Sequence, residues 1–238
     1  MFYLIGLGLN ENALTKEAIT IIKKCNKVYL ETFTVVLPYP IKKLEKYIHK
    51  KITILSREEV ESLTFIKEAK KETIALLVYG SPLFATTHIT ILEEAKKQKI
   101  PYDVFPNASV FDAIGQTGLQ LYKFGKIASM PRWQKGFHPE SFIDIVIENK
   151  KIHAHSLILI DIGLDLHSAL IQLQTALNRR NFMEEKIILC SCLGTKQQKI
   201  IYASMQKLQS QKIKEPFCII IPAELHFIES SYLKNFER

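Results

Sequence analysis

Short apolar runs alternate with amphipathic, lysine- and glutamate-rich segments along the whole chain. The apolar runs cover residues 2–7, 27–30, 52–55, 74–78, 102–105, 126–129, 156–161, 186–190 and 217–221, each of strand length. Between them, residues 15–24, 39–50, 60–71, 86–98, 109–121, 140–150, 166–180, 197–209 and 225–236 carry a helical period. Such alternation predicts an α/β fold of parallel sheets covered by helices. Nine strands fit one large sheet or two smaller ones. The rhythm breaks over 106–125, where a Pro106-Asn107 turn, a helix holding Gly115 and Gly118, and the sequence YKFGK intervene. That break favours two α/β domains, residues 1–112 and 113–238. The segment MPRWQKGFHPE at 130–140, with two prolines and the only Trp, reads as a loop with a functional or lid role, or as a plain connection.

Composition narrows the class without naming a function. At 238 residues, 47% hydrophobic and 24% charged, the chain is neither disordered nor a small disulfide scaffold. Lys and Arg number 32 against 24 Asp and Glu, a net +8 that suits acidic partners such as nucleic acid, a ribosome-associated protein or an anionic small molecule. Helical runs such as Lys42, Lys43, Lys46, Lys50 and Lys51 also fit a solvated face, and no arginine cluster or aromatic–basic alternation accompanies them. Cys25, Cys190, Cys192 and Cys218 form no CxxC and no metal-ligand spacing with His. They read as buried thiols in a reducing compartment, Cys190 and Cys192 sharing one strand face. Met1 runs into FYLIGLG with no basic leader or cleavage site, and no run is long enough for a membrane span, so a cytoplasmic protein is expected.

Candidate chemistry gathers where strands turn into helices. Gly6-Leu7-Gly8-Leu9 follows the first strand, and Leu14-Thr15 opens the first helix. Glu31 ends the second strand at about the separation of a ribose-binding acid, but the third glycine of a dinucleotide fingerprint falls on Glu11. In Leu76 to His88 a strand ends at Tyr79, Gly80-Ser81-Pro82 turns sharply, and Thr86 and Thr87 are placed to cap the next helix. His88 is either a ligand or base, or a structural histidine. Asn107-Ala108-Ser109-Val110 and Leu193-Gly194-Thr195 with Gln197 and Gln198 form two further turns of this kind. His153 and His155 suit a solvated strand face, and Asp161 either meets a ligand or caps the following element. There is no P-loop, GxSxG, HExxH or paired carboxylate, so no catalytic residue and no metal is assigned. That scarcity favours chemistry residing in a cofactor or cosubstrate.

Taken in order, FYLIGLGL (2–9), KVYLETFT (27–34), SREEVE (56–61), GSPLFATTH (80–88), GLQLYKFGK (118–126), LILIDI (157–162), LGTKQQKI (193–200) and IIPAELHFIE (220–229) resemble the diphthine synthases, of the tetrapyrrole-methylase fold. The resemblance implies two α/β domains with S-adenosylmethionine in the cleft between them, usually in a homodimer. It implies methylation of the amino group of a 3-amino-3-carboxypropyl adduct on a histidine of translation elongation factor 2, with S-adenosylhomocysteine released. By motif position, the cofactor contacts implied are Leu9, Ser81, Phe84, Ser109, Val110, Ile160, Leu193 and Phe217, several through backbone groups. The family's turn usually reads Pro-Gly-Asp-Pro, where Tyr79-Gly80-Ser81-Pro82 offers an uncharged hydroxyl in place of a carboxylate. Arg is common where Cys192 stands, and His where Phe217 stands. Lys123, Lys126 and Arg132 are candidates for anchoring the adduct's carboxylate, with no membrane or nucleic acid required. Two rivals stay open: a corrin-ring methyltransferase of the same fold, and a non-catalytic RNA- or ribosome-binding module.

Overall fold

The computed structural model describes residues 1–238, which divide into two compact units, Met1–Val110 and Phe111–Arg238. In the first unit five strands, β1 (Phe2–Gly6), β2 (Lys27–Glu31), β3 (Thr53–Leu55), β4 (Ile74–Val78) and β5 (Tyr102–Phe105), form one sheet in the order β3-β2-β4-β1-β5. Every pairing is parallel. Its helices are α1 (Lys16–Lys24), α2 (Ile41–Ile48), α3 (Arg57–Glu61) and α4 (Ile89–Lys97). The central strands are apolar at nearly every position because both faces are covered. Alternate residues serve two cores: Phe2, Leu4, Ile74 and Leu76 on one side, Ile5, Ala75 and Leu77 on the other.

The helices start where capping chemistry allows. Thr15 accepts from the Ala18 amide at 3.1 Å to open α1, and Ser56 with Glu59 forms a reciprocal box at α3. Neither Thr86 nor Thr87 caps α4 through its side chain, contrary to the sequence expectation. The N-cap is His88, which has no side-chain bond into the helix.

The division falls within the short α5 (Val110–Ala113), after its first residue. The second unit continues through β6 (Ala128–Met130), α6 (Ser141–Lys151), β7 (Ser156–Ile160), α7 (Leu166–Arg179), β8 (Ile187–Ser191), β9 (Lys199–Ala203), α8 (Met205–Gln209), β10 (Phe217–Ile221) and α9 (Phe227–Leu233). The sheet order is β6-β7-β10-β8-β9. Only β6 and β7 pair in parallel; the β7–β10, β10–β8 and β8–β9 pairs are antiparallel, which corrects the expectation of parallel sheets throughout. For β8 and β9 the reason lies in connection length, since a parallel crossover needs a dozen or more residues and their turn spans only 192–198, while β10, reached from β9 through α8, inserts between β7 and β8. Residues 199–203, expected as helix, are strand. Ile201 and Ala203 point inward in the two-residue period of a half-exposed strand. The free edge of β9 is covered by the chain end, where Tyr202 bridges Glu237 and its carbonyl accepts from the Arg238 amide.

All four cysteines are buried free thiols. Cys192, however, lies beyond the end of β8 at φ 47°, so it does not share a strand face with Cys190. No helix is long and apolar enough to cross a membrane.

Candidate functional site

In the first unit, the connections after β1 and β4 leave the sheet in opposite directions. β1 leads towards β2, while β4 leads across β1 to β5. The crevice outside the carboxyl ends of such strands is where open α/β sheets bind ligands. There Gly8 and Gly80, at φ 68° and 73°, exchange backbone bonds of 3.1 and 3.0 Å. A Cβ on Gly6 would stand 2.6 Å from the Gly80 carbonyl oxygen, and one on Gly8 would stand 2.7 Å from the Ala13 Cβ. The turns need glycine for close approach and, at Gly8, also for backbone conformation.

Asn107 fastens the third turn to the first. Its Nδ2 donates to the carbonyls of Gly6 (3.1 Å) and Ala13 (3.0 Å), and its Oδ1 accepts from the Ala108 amide at 2.8 Å. Leu9, Ser81, Phe84 and Ser109 therefore lie on connections at the carboxyl edge of this sheet, and Val110 opens α5 directly after Ser109. Leu9 is buried and its carbonyl accepts from the Tyr79 hydroxyl at 3.1 Å. Ser81 and Phe84 are half-buried, joined by a 3.3 Å backbone bond, and Ser109 is buried beside half-buried Val110.

Glu31 does not present its carboxylate to a ribose. The buried group accepts from the amides of Phe33 and Thr34, both at 3.1 Å, and from the Thr34 hydroxyl, so it caps its own turn. His88 is buried in the loop it closes. Nδ1 faces the Pro82 carbonyl at 3.2 Å, the ring meets Phe33 edge-on, and Nε2 has no partner.

In the second unit, strand register gathers the other three predicted contacts. β10 runs against both β7 and β8, with Phe217 opposite Ser191 and Cys218 opposite Leu159. Ile160, Leu193 and Phe217 consequently share one sheet edge, Ile160 half-buried and the other two buried. Arg132 sits at this edge too, because Met130 pairs with Ile160 and the Arg132 amide donates to Asp161 at 3.1 Å. Asp161 also accepts from Ile162 at 3.0 Å, whereas α7 is capped by Asp165. Asp161 thus holds the 130–132 turn and does not cap the helix.

The same register places Lys123 and Lys126 at the opposite end of the strands, where Phe124 bridges His155. Lys126 pairs with Glu148 at 2.7 Å, both exposed. Lys123 enters a buried cluster that sequence reading missed. The fully buried Glu229 carboxylate accepts from Lys123 (2.7 Å), the Gln120 amide (2.9 Å), the His226 amide (2.8 Å) and His155 Nε2 (3.1 Å). His155 is fully buried, which overturns its reading as a solvated residue. Its Nδ1 accepts from the Ala223 amide at 2.9 Å, so the proton resides on Nε2. Burial lowers the His155 pKa, against the pull of Glu229. Burial alone would raise Glu229, but the Gln120 amide, Lys123, the His226 amide and His155 together bring it down to about 2.

The YKFGK sequence belongs to this clasp. Phe124 packs on Phe111 and His155, and a Cβ on Gly125 would stand 2.2 Å from Oδ1 of the buried Asn149. The glycine in that motif was the one sequence signal of the close approach.

A parallel sheet with glycine turns knitted at its switch point, followed by a mixed five-stranded sheet, defines a known class of enzyme. Residues 1–209 match the model of the Tetrapyrrole (Corrin/Porphyrin) Methylases, and the chain belongs to that methyltransferase family. Within it, the likeness runs to the diphthine synthases. The diphthine synthase of Methanocaldococcus jannaschii is 36% identical over 98% of this chain and 98% of its own. The diphthine methyl ester synthase of Schizosaccharomyces pombe is 33% identical over 99% of this chain and 94% of its own. A crystal structure from Entamoeba histolytica assigned as a diphthine synthase superposes with a TM-score of 0.90, at 30% identity, over 100% of this chain and 98% of that one.

Proposed function

We propose that this chain transfers methyl groups from S-adenosylmethionine to the amino group of the 3-amino-3-carboxypropyl histidine of translation elongation factor 2, giving diphthine. The observation that carries this reading is near full-length similarity to enzymes named for that product, over both units of the chain.

The cosubstrate contacts we propose are Leu9, Ser81, Phe84, Ser109 and Val110 on the first unit, and Ile160, Leu193 and Phe217 on the second. The glycine turns support this, because Gly8 and Gly80 carry no Cβ and spend their amides and carbonyls on each other, which draws the segments bearing Leu9, Ser81 and Phe84 together at the carboxyl edge of the sheet. Ser81, standing where the family has a carboxylate, supplies a neutral hydrogen bond. In the reaction the amine lone pair attacks the methyl carbon, the carbon–sulfur bond breaks, and sulfur keeps its electron pair as a neutral thioether. After a first or second transfer the nitrogen releases a proton and regains its lone pair, whereas a third methyl leaves a quaternary ammonium with no proton to lose. Such a displacement asks mainly for alignment and exclusion of water, which explains the absence of a conspicuous acid–base pair.

Of the three basic anchors considered, Arg132 shares the edge of Ile160, Leu193 and Phe217, and we assign it the adduct's carboxylate. Lys123 and Lys126 point to the other end of the strands, where they pair with Glu229 and Glu148. The same reading places the enzyme in the cytoplasm, as a homodimer that requires no nucleic acid.

The test is incubation of adduct-bearing elongation factor 2 with methyl-labelled S-adenosylmethionine. Label is expected on the factor and absent when the modified histidine is replaced. No label on the intact adduct would refute the assignment.

A further inference from the structure

Two separate segments bring four exposed lysines together at the end of β8 and the start of β9. They are Lys196 in the β8–β9 turn, Lys199 at the first position of β9, and Lys212 and Lys214 in the strap that leads into β10. The strap is held across the strand end by side-chain and backbone bonds. Ser191 Oγ donates to the Lys214 carbonyl at 2.5 Å, and the Cys192 amide donates to the Pro216 carbonyl at 2.8 Å. The Cys192 thiol lies 3.2 Å from the Glu215 carbonyl, and Lys199 Nζ donates to the Lys212 carbonyl at 2.8 Å. The turn itself is stiffened where the Gly194 amide donates to Gln198 Oε1 at 2.8 Å and the Thr195 hydroxyl donates to the Cys192 carbonyl at 2.8 Å.

The charge of this cluster is uncompensated. Lys27, Lys43, Lys123, Lys126, Lys150 and Lys186 each pair with a carboxylate, but none of these four does. Glu215, the only acid in either segment, is half-buried and forms no ion pair. The acids two or more strands away at the same edge are also committed: Asp161 to the Arg132 and Ile162 amides, Asp165 to Ser168. Holding like charges close is unfavourable unless a partner of opposite sign arrives. The cluster adjoins Leu193 and Phe217, so a partner there stands beside the proposed methyl-transfer edge.

We propose that Lys196, Lys199, Lys212 and Lys214 form a docking surface for an acidic stretch of the protein substrate, an inference that rests on the methyltransferase reading above. An acidic polypeptide fits better than RNA. Neither segment carries an arginine for bidentate phosphate contacts, and no exposed aromatic stands between the lysines to stack a base.

The test compares the native chain with the K196E/K199E/K212E/K214E variant in steady-state methylation of whole elongation factor 2 at low salt. KM for the factor is expected to rise about tenfold with kcat unchanged, and added salt should weaken the native enzyme while barely affecting the variant. K196Q/K214Q, which leaves the internal Lys199 bond in place, should raise KM about threefold and serves if the quadruple variant folds poorly. KM and salt dependence matching the native enzyme in both variants would overturn the proposal. So would loss of RNA binding with methylation kinetics intact. If the native protein transfers no methyl group, binding of fluorescein-labelled poly-L-glutamate decides. Binding lost in the variant upholds an acidic-polypeptide surface while the reaction assignment falls, and no binding by the native protein sinks the surface as well.

Discussion

Replacing Glu229 by Ala should be among the most damaging single changes in the second unit. The carboxylate is fully buried and receives four donors, from Lys123, His155 and the Gln120 and His226 amides. Removing it leaves Lys123 only the Glu224 carbonyl, and strands the His155 N–H and two amides. Breaking a buried pair costs about 3–5 kcal/mol, and each orphaned buried donor about 1–3 kcal/mol unless water reaches it. A loss of about 5 kcal/mol follows, against a total of about 5–15 kcal/mol for a typical domain. At about 2–4 °C per kcal/mol, the melting temperature at neutral pH should fall by about 10–20 °C.

The pH dependence has a fixed sign. Glu229 is held at about 2 against an ordinary 4.5, so its contribution is complete above the ordinary value and is lost as pH falls from there towards 2. His155 is lowered from 6.5, so its neutral form stabilises the fold and that share is lost as pH drops below 6.5. Protonation there also breaks the bond from Ala223 to Nδ1. Melting of the native and E229A chains across acid to neutral pH should therefore show a wide gap that narrows below pH 4.5. A gap under about 3 °C at neutral pH, or one that does not narrow, would refute the reasoning.

Other predictions concern the turns and the proposed substrate anchor. Asn107→Ala removes two hydrogen bonds between turns and one within its own turn, and should weaken S-adenosylhomocysteine binding by about tenfold in calorimetry; unchanged affinity would remove these turns from the cosubstrate site. Gly118→Ala puts a Cβ 2.3 Å from the Tyr232 ring at φ 84°, and should cost about 3 kcal/mol or more in urea unfolding. Gly136→Ala, at φ 77° with nothing within 4 Å, should cost only about 1 kcal/mol, and equal losses would contradict the packing argument. Arg132→Ala should lower kcat/KM for the modified factor by about tenfold or more, while Lys126→Ala should leave it within about twofold; the reverse order would undo the choice of anchor.

The parts of the fold that were legible in sequence are those whose burial is local and continuous. β4 reads IALLV and is buried at all five positions, so its apolar run is unambiguous. β9 escaped because KIIYA is a half-exposed edge strand, and Ile201, Met205 and Leu208 happen to fall at helical spacing. Antiparallel pairing in the second sheet follows from the short β8–β9 turn and from the insertion of β10 between β7 and β8, which hydrophobic period does not encode. In the candidate site, the glycine turns were visible because close backbone approach demands a residue without a side chain. Partnerships across long separations were not. Lys123 offered only its charge, while Glu229, which holds it, lies 106 residues away. His155 stands in the lysine- and histidine-bearing stretch 150–155 and so reads as a surface residue, and the partner that satisfies its buried N–H is the same distant glutamate.

Mass spectrometry of elongation factor 2 carrying the aminocarboxypropyl histidine, after incubation with this protein and S-adenosylmethionine, tests the central claim most directly. The account predicts that the modified peptide gains methyl masses one after another, on the adduct nitrogen. A peptide of unchanged mass, with S-adenosylhomocysteine binding intact, would contradict it.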